Sequence, residues 1–405
     1  MRNFWIVALL ATAVAARSAD AAPAADLAGE PTPAGLSAED QAALSAAAAA
    51  DQPAVAPPSS GPSPSANPAI SLLFGGSAAA FSRPDPPQMG GHDATGSGFN
   101  LHYLELFAES NVDPYFHFQT SIAIGQEGVE LEEVFADTLA LPGNLHVKAG
   151  KFLSDFGRAN PTHPHVWSFA DQPLLLGKFF GPDGNRAVGA QVGWLLPLPW
   201  FAEAKLAAQQ AENPCCNRSM LGDTPRPVQA ADDLQYTGSL RTFAPLSDDW
   251  SLFLGASAQL GPNPHVLGLG TQIAGGDLYL RWRPIADPER RSVSLQVEHA
   301  RRQRDVGGQS LVDQAGYAHV VAKVALRWEV GWRSEWATGV AGDPLDPDWT
   351  SLRTRHAAQA TFYPSHFARI RLQVSRDMPG WLNEPVYGAL LMVESVVGAH
   401  GSHGY

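Results

Sequence analysis

The chain has 405 residues, of which 45% are hydrophobic and only 17% charged, with Gly 38, Pro 33 and Cys 2. Lys+Arg 27 against Asp+Glu 40 leaves a net charge of −13, which excludes the basic footprint of a nucleic-acid binder, and two cysteines exclude a disulfide framework. An ordinary soluble domain carries roughly 25% charge. Yet mean hydropathy is −0.12, and past residue 20 no run approaches the ~20 apolar residues of a spanning helix; the richest, Val192–Ala208, is broken by Pro197, Pro199, Glu203 and Lys205.

Met1–Ala21 reads as a secretory signal: Arg2 precedes the apolar core Phe4–Ala16, and Ala19-Asp20-Ala21 fits a cleavage site. Residues 22–66 are rich in Ala, Pro and Ser and nearly devoid of aromatic and β-branched side chains, the composition of a periplasmic linker. Within it Leu36–Ala50, with Ser37 as N-cap, has the pattern of a short helix.

From Ile70 onward apolar and polar residues alternate with period two between Gly, Pro, Asn and Asp breaks. In 366–377, Ala368, Ile370, Leu372 and Val374 oppose Arg369, Arg371, Gln373 and Ser375. In 277–284, Leu278, Leu280 and Trp282 oppose Tyr279, Arg281 and Arg283. The alternation predicts strands at 70–82, 98–109, 114–124, 129–140, 144–152, 186–196, 200–211, 235–244, 249–260, 270–284, 290–302, 316–327, 329–337, 354–363, 366–376 and 386–397. Strands of about 9 to 11 residues cross hydrocarbon at a tilt. Low charge with alternating rather than continuous apolarity points to a transmembrane antiparallel up-and-down β-barrel of 12–16 strands over 67–405, preceded by a disordered or partly helical N-terminal segment. Trp250, Trp282, Trp328, Trp332 and Trp336 fall near expected strand ends, where aromatic residues anchor at headgroup level. A soluble sandwich or propeller would carry more surface charge, and no blade-length repeat is present.

The segment VKAGKFLSDFGRANPTHPHVWSFADQPLLL (147–176), with Gly150-Lys151-Phe152 running into Phe156-Gly157-Arg158, resembles the strand-to-loop segment of phosphate-selective porins of the O and P type. Together with Asn67–Leu72, Val112–Phe116, Glu132–Phe135 and the end Gly398–Tyr405, it is similar in order and coverage to a porin-like family of outer-membrane proteins, some labelled zinc-regulated or TonB-dependent receptors. The resemblance implies an outer-membrane barrel and leaves the solute open. The receptor label fits poorly: about 22 strands and a folded plug exceed what the residues after the linker can supply. The last strand ends near Val397, and a Gly/His tail separates it from Tyr405.

Candidate sites follow from facing. Arg281, Arg283, Lys323, Arg327, Arg333, Arg369 and Arg371 oppose the apolar stripes and are expected to line the pore, where guanidinium groups favour anions or simply pair with wall carboxylates such as Glu329 and Glu335. The non-alternating segment 154–185, with His163, His165, Trp167 and Asp171, is either a constriction loop or an external cap. His163-x-His165 and His400-x-x-His403 are weak metal candidates lacking a third ligand at definite spacing. Glu132 and Glu133, as neighbours on a strand, are expected to face opposite sides. Cys215-Cys216 is a candidate loop staple. No catalytic motif is present, so neither an enzyme nor a cofactor is expected. The expected function is a porin-like channel in the cell outer membrane of a Gram-negative cell for small hydrophilic solutes, favouring anions. The alternative is a barrel that binds a ligand or metal ion for a partner transporter. Lipid, lipopolysaccharide, the barrel-assembly machinery and a homotrimer are the expected partners.

Overall fold

The structure, a computed structural model, describes residues 68–398 except 126, 127 and 214. The expected signal peptide (1–21), linker (22–66), His400, His403 and Tyr405 lie outside the described residues.

Sixteen strands form one closed antiparallel barrel in sequence order. They are β1 (Ala69–Phe81), β2 (Gly98–Asn111), β3 (Phe116–Gly125), β4 (Gly128–Thr138), β5 (Leu145–Leu153), β6 (Arg186–Leu195), β7 (Ala202–Gln210) and β8 (Leu234–Pro245). After them come β9 (Trp250–Asn263), β10 (Val266–Trp282), β11 (Ser292–Val306), β12 (Gln309–Ala325), β13 (Trp328–Ala337), β14 (Arg353–Ser365), β15 (Ala368–Met378) and β16 (Val386–Gly398). β1 pairs with β16 from Ser71↔Gly398 to Phe81↔Gly388, so the barrel leaves no open edge. Both barrel termini and tight connections such as 326–327 and 366–367 lie at one end. The long segments 82–97, 154–185, 211–233 and 338–352 lie at the other.

The facing follows the sequence alternation. On β15 Arg371 and Gln373 are buried, while Leu372 and Val374 are half exposed on the outside. On β14 Arg353, Arg355, Ala357, Gln359, Thr361 and Tyr363 all turn inward. Outward apolar side chains belong against lipid, where a charge at the midplane costs about 2 to 4 kcal/mol. Trp250 and Trp282 are register partners at the tight-turn end, where Trp328 opens β13 and Trp194 and Trp200 are also exposed. Trp332 departs from the expected girdle: it sits mid-strand on β13 facing outward, its indole N–H donating to Ser334 Oγ at 3.0 Å.

The hairpin β11–β12 is longer than the alternation predicts, reaching Val306 and restarting at Gln309. Gly307 and Gly308, at φ 56° and 86°, supply the two left-handed positions of a two-residue turn. The strand pattern is masked there because Arg302, Arg304 and Asp313 occupy inward positions beyond the apolar stretch.

Inside the barrel, 154–185 contains a short helix, α1 (Leu174–Phe179). Leu175, Leu176 and Phe179 pack against Ala300, Ala315 and Ala337 and Tyr317 of the wall, joined by Met220, Leu221 and Trp349 from the other long segments. The wall alanines leave the space that α1 fills.

Leu372→Arg is expected to lower barrel stability by about 2 to 4 kcal/mol in lipid vesicles, read by urea titration; Gln373→Arg, on the opposite face, tests whether facing rather than charge is responsible.

Candidate functional site

The segment 154–185 leaves the wall at the end of β5 and crosses the bore. Its base is cinched by Asn160, whose Nδ2 donates to Ser154 O at 2.8 Å and whose Oδ1 accepts from Asn185 N at 2.7 Å. Asp155 meets Arg241 at 3.1 Å and Lys205 at 3.3 Å, and Gly157 N donates to Ser257 Oγ. Gly157 has φ +61°, and a Cβ there would lie 1.7 Å from Glu298 Oε1, so both backbone and space demand glycine. Arg158 lies over the Tyr279 ring at 3.8 Å.

Across the bore, Arg369 donates to His165 O at 2.6 Å and Arg371 to Trp167 O at 2.8 Å. Asp171 is the central anchor: Arg333 reaches it at 2.6 Å, Arg355 at 3.0 Å and Gln373 Nε2 at 2.7 Å. Leu174 N donates to Glu335 Oε2 at 2.7 Å, and Lys178 meets Asp313 at 3.3 Å. Burial alone would raise the Asp171 carboxyl, but Arg333 and Arg355 outweigh it and hold it down to about 2.

On the opposite wall stands a histidine–carboxylate cluster. His163 Nε2 lies 2.8 Å from Glu133 Oε2 and its Nδ1 lies 3.4 Å from Glu132 Oε2. His165 Nδ1 lies 2.9 Å from Glu105 Oε2. His92, from 82–97, places Nε2 3.2 Å from Glu132 Oε1, and Ser121 Oγ lies 2.7 Å from Glu105 and 2.9 Å from Glu132, with one proton to donate to either. Desolvation would lower the His92 and His163 imidazoles, yet the facing carboxylates win, raising His92 to about 9 and His163 well above the usual range.

Two β-bulges build this cluster. On β4, Ser121 pairs with Glu133 and Ile122 with Leu131, leaving Glu132 as an extra residue. Glu132 and Glu133 are therefore both buried inside, correcting the expectation that they face opposite sides. On β2, Gly75 pairs with Tyr103 and Gly76 with Leu101, so His102 and Tyr103 both turn inward.

Of the expected pore-lining residues, Lys323, Arg333, Arg369 and Arg371 occupy inward strand positions, as does half-buried Arg281. Arg283 and Arg327 do not: β10 ends at Trp282 and β12 at Ala325, so Arg283 is exposed in the connection 283–291 and Arg327 in the turn 326–327. Arg283 precedes Pro284, which cannot extend the ladder. Arg369 is not a free wall charge, since Glu394 accepts from it at 2.5 Å and 2.6 Å. Arg302, Arg304, Arg353 and Arg355 line the same wall and escaped the sequence reading, although 302/304 and 353/355 share the Arg-x-Arg alternation of 369/371. Glu105 and His92 also escaped it; only the inward parity of an acid in an apolar strand marks Glu105. Cys215 and Cys216 are joined to each other by a disulfide.

No family model matches the sequence. An uncharacterized protein of Aquifex aeolicus (strain VF5) is 31% identical over 338 residues, covering 76% of this chain and 70% of its own length. The chain belongs to that protein's family. Among solved structures, the outer-membrane channel DcaP of Acinetobacter baumannii superposes with TM-score 0.57 at 9% identity, covering 82% of this chain and 97% of its own. OprB of Pseudomonas putida gives 0.55 at 11%, covering 82% and 94%. An anion-selective porin of Comamonas acidovorans gives 0.54 at 12%, covering 82% and 99%. At these identities the likeness is one of fold, that of an outer-membrane porin barrel. A closed transmembrane barrel of this kind resides in the cell outer membrane. Sixteen strands fall short of the receptor architecture in the family label.

Asp171→Asn removes one partner of a buried ion-pair cluster and is expected to weaken docking of 154–185 by about 3 to 5 kcal/mol, seen as new protease cuts within the segment of a still heat-modifiable barrel. Because the folded Asp171 carboxyl is held below its unfolded value, its contribution is complete above pH ~4 and is lost as pH falls toward ~2. Asp93, close by on 82–97, has its own carboxyl raised by burial and by Asp171. The same cuts are expected to appear in the parent on acidification.

Proposed function

We propose that this protein is a porin-like channel for passive diffusion of small hydrophilic solutes across the outer membrane, with 154–185 as its constriction element. The observation that carries the reading is a closed barrel whose lipid face is apolar and whose inner wall is polar, crossed by a segment bonded to both sides of the bore. A mature chain lacking 1–21, tethered by 22–66, assembled by the barrel machinery among lipopolysaccharide and associated as a homotrimer completes the proposal.

The anion preference is narrower in this reading than the count of arginines suggests. Arg302, Arg333, Arg353, Arg355 and Arg369 each meet a carboxylate within 3.0 Å, so their fields largely cancel inside the wall. Arg281 and Lys323, on inward positions toward the tight-turn end, add positive charge to a wall that carries carboxylates there as well, Glu329 and Glu289 facing Lys323.

Purified barrel in planar bilayers is expected to give stable single-channel steps with a reversal potential near zero in a salt gradient. Arg281→Ala and Arg369→Ala, the second leaving Glu394 short of its main partner, are each expected to move that potential toward cations. A protein that is heat-modifiable but electrically silent would contradict the channel.

A further inference from the structure

We propose that Glu105, His163 and His165 form a binding site for one divalent transition-metal ion of the zinc class, clipping the inward segment to the β2–β4 wall. One ligand atom from each of the three residues lies within 4.8 Å of the others, close enough to converge on a single ion. Both imidazoles turn Nδ1 toward Glu105, at 3.7 Å for His163 and 2.9 Å for His165, and their rings stack 5.6 Å apart.

The surroundings match what a bound ion requires. Metal-ligating histidines commonly donate their other ring N–H to a carboxylate, which fixes the tautomer. Here His163 Nε2 faces Glu133 Oε2 at 2.8 Å, so the ion would take Nδ1 in exchange for its proton. Ser121 Oγ lies between the Glu105 and Glu132 carboxylates, at 2.7 Å and 2.9 Å, and can donate its one proton to either. Glu132, placed inside by the β4 bulge, stands 3.4 Å from His163 Nδ1, and three protein ligands would leave a fourth position for water. A small cavity of about 20 Å³ lined by His92, Glu132, His163, Asp183 and Arg186 adjoins the cluster. Two imidazoles and a carboxylate suit zinc, cobalt or nickel rather than calcium or magnesium, which take all-oxygen shells. Carboxylates in excess of the two ligand histidines balance the ion's charge. The cysteines offer no rival site in the disulfide form, their sulfurs being bonded to each other.

The test uses full-length barrel folded in detergent, stripped with chelator, equilibrated with Zn2+ alone and assayed for retained metal. One equivalent of zinc is expected, with visible d–d absorption when Co2+ replaces it. Glu105→Gln, which keeps side-chain volume, and the double variant His163→Ala, His165→Ala are expected to lose both signals while remaining heat-modifiable. Glu133→Gln, whose side chain meets the ligand His163 and Leu153 N but is not itself a ligand, is expected to keep the stoichiometry with affinity weakened on the order of 10- to 100-fold. Zinc retained equally by Glu105→Gln, or no zinc retained by the parent, overturns the site. Neither readout involves conductance, so the metal site and the channel stand or fall separately.

Discussion

Hydrocarbon offers no hydrogen bonds, so every backbone N–H and C=O in the membrane must find its partner within the protein. The β1–β16 ladder meets that demand by closing the sheet on itself. Closure also sorts the side chains. With lipid on one face, charge can go only inward, and Arg302, Arg304, Arg333, Arg353, Arg355 and Arg371 are all buried there. A buried charge without a partner is costly, so the wall dictates where acids must stand. Some come from neighbouring strands, such as Asp313 beside Arg302 and Asp377 beside Arg353. Asp171 comes from the inward segment and sits where Arg333 and Arg355 converge. The route of 154–185 is thus set by charge balance with the wall as much as by its own apolar residues.

The segment has two kinds of attachment. At α1 it is held by apolar packing against small wall residues, an area effect insensitive to salt. From Asp155 to Asp171 it is held by charged and backbone hydrogen bonds to strands on both sides of the bore. Gly157 lets the chain pass close enough for Ala159 N to donate to Glu298 Oε2 at 3.2 Å. A loop fixed at so many points behaves as part of the wall.

The strand order, number and facing were legible because lipid imposes one rule on every outward position. Alternation reports that rule directly, as in Leu372 and Val374 against Arg371 and Gln373. It reports nothing about which inward groups meet. Arg333 and Asp171 stand far apart in sequence, and their 2.6 Å contact depends on a loop path with no periodic signal. Strand ends were legible only where a proline or turn residue marked them, hence the misplacement of Arg327 in the turn 326–327. The histidine pair was visible as His163-x-His165, but its third ligand was not, because Glu105 belongs to β2 and approaches only after the segment folds back. Neighbouring acids such as Glu132 and Glu133 were misread for a related reason: regular alternation contains no term for an extra residue.

That extra residue acts as a phase slip along β4. Before it, odd-numbered Val129 and Leu131 face out; after it, even-numbered Val134 and Ala136 take the outer side. Remove Glu132 from the written sequence and Val-Glu-Leu-Glu-Val-Phe-Ala-Asp runs in unbroken two-residue register. The lipid-facing surface is therefore the same with or without it, and so is the length of chain that the membrane sees. One codon separates a plain wall strand from one that crowds two carboxylates into the bore, so within this barrel a new interior chemistry can be gained or lost without any change to its outside.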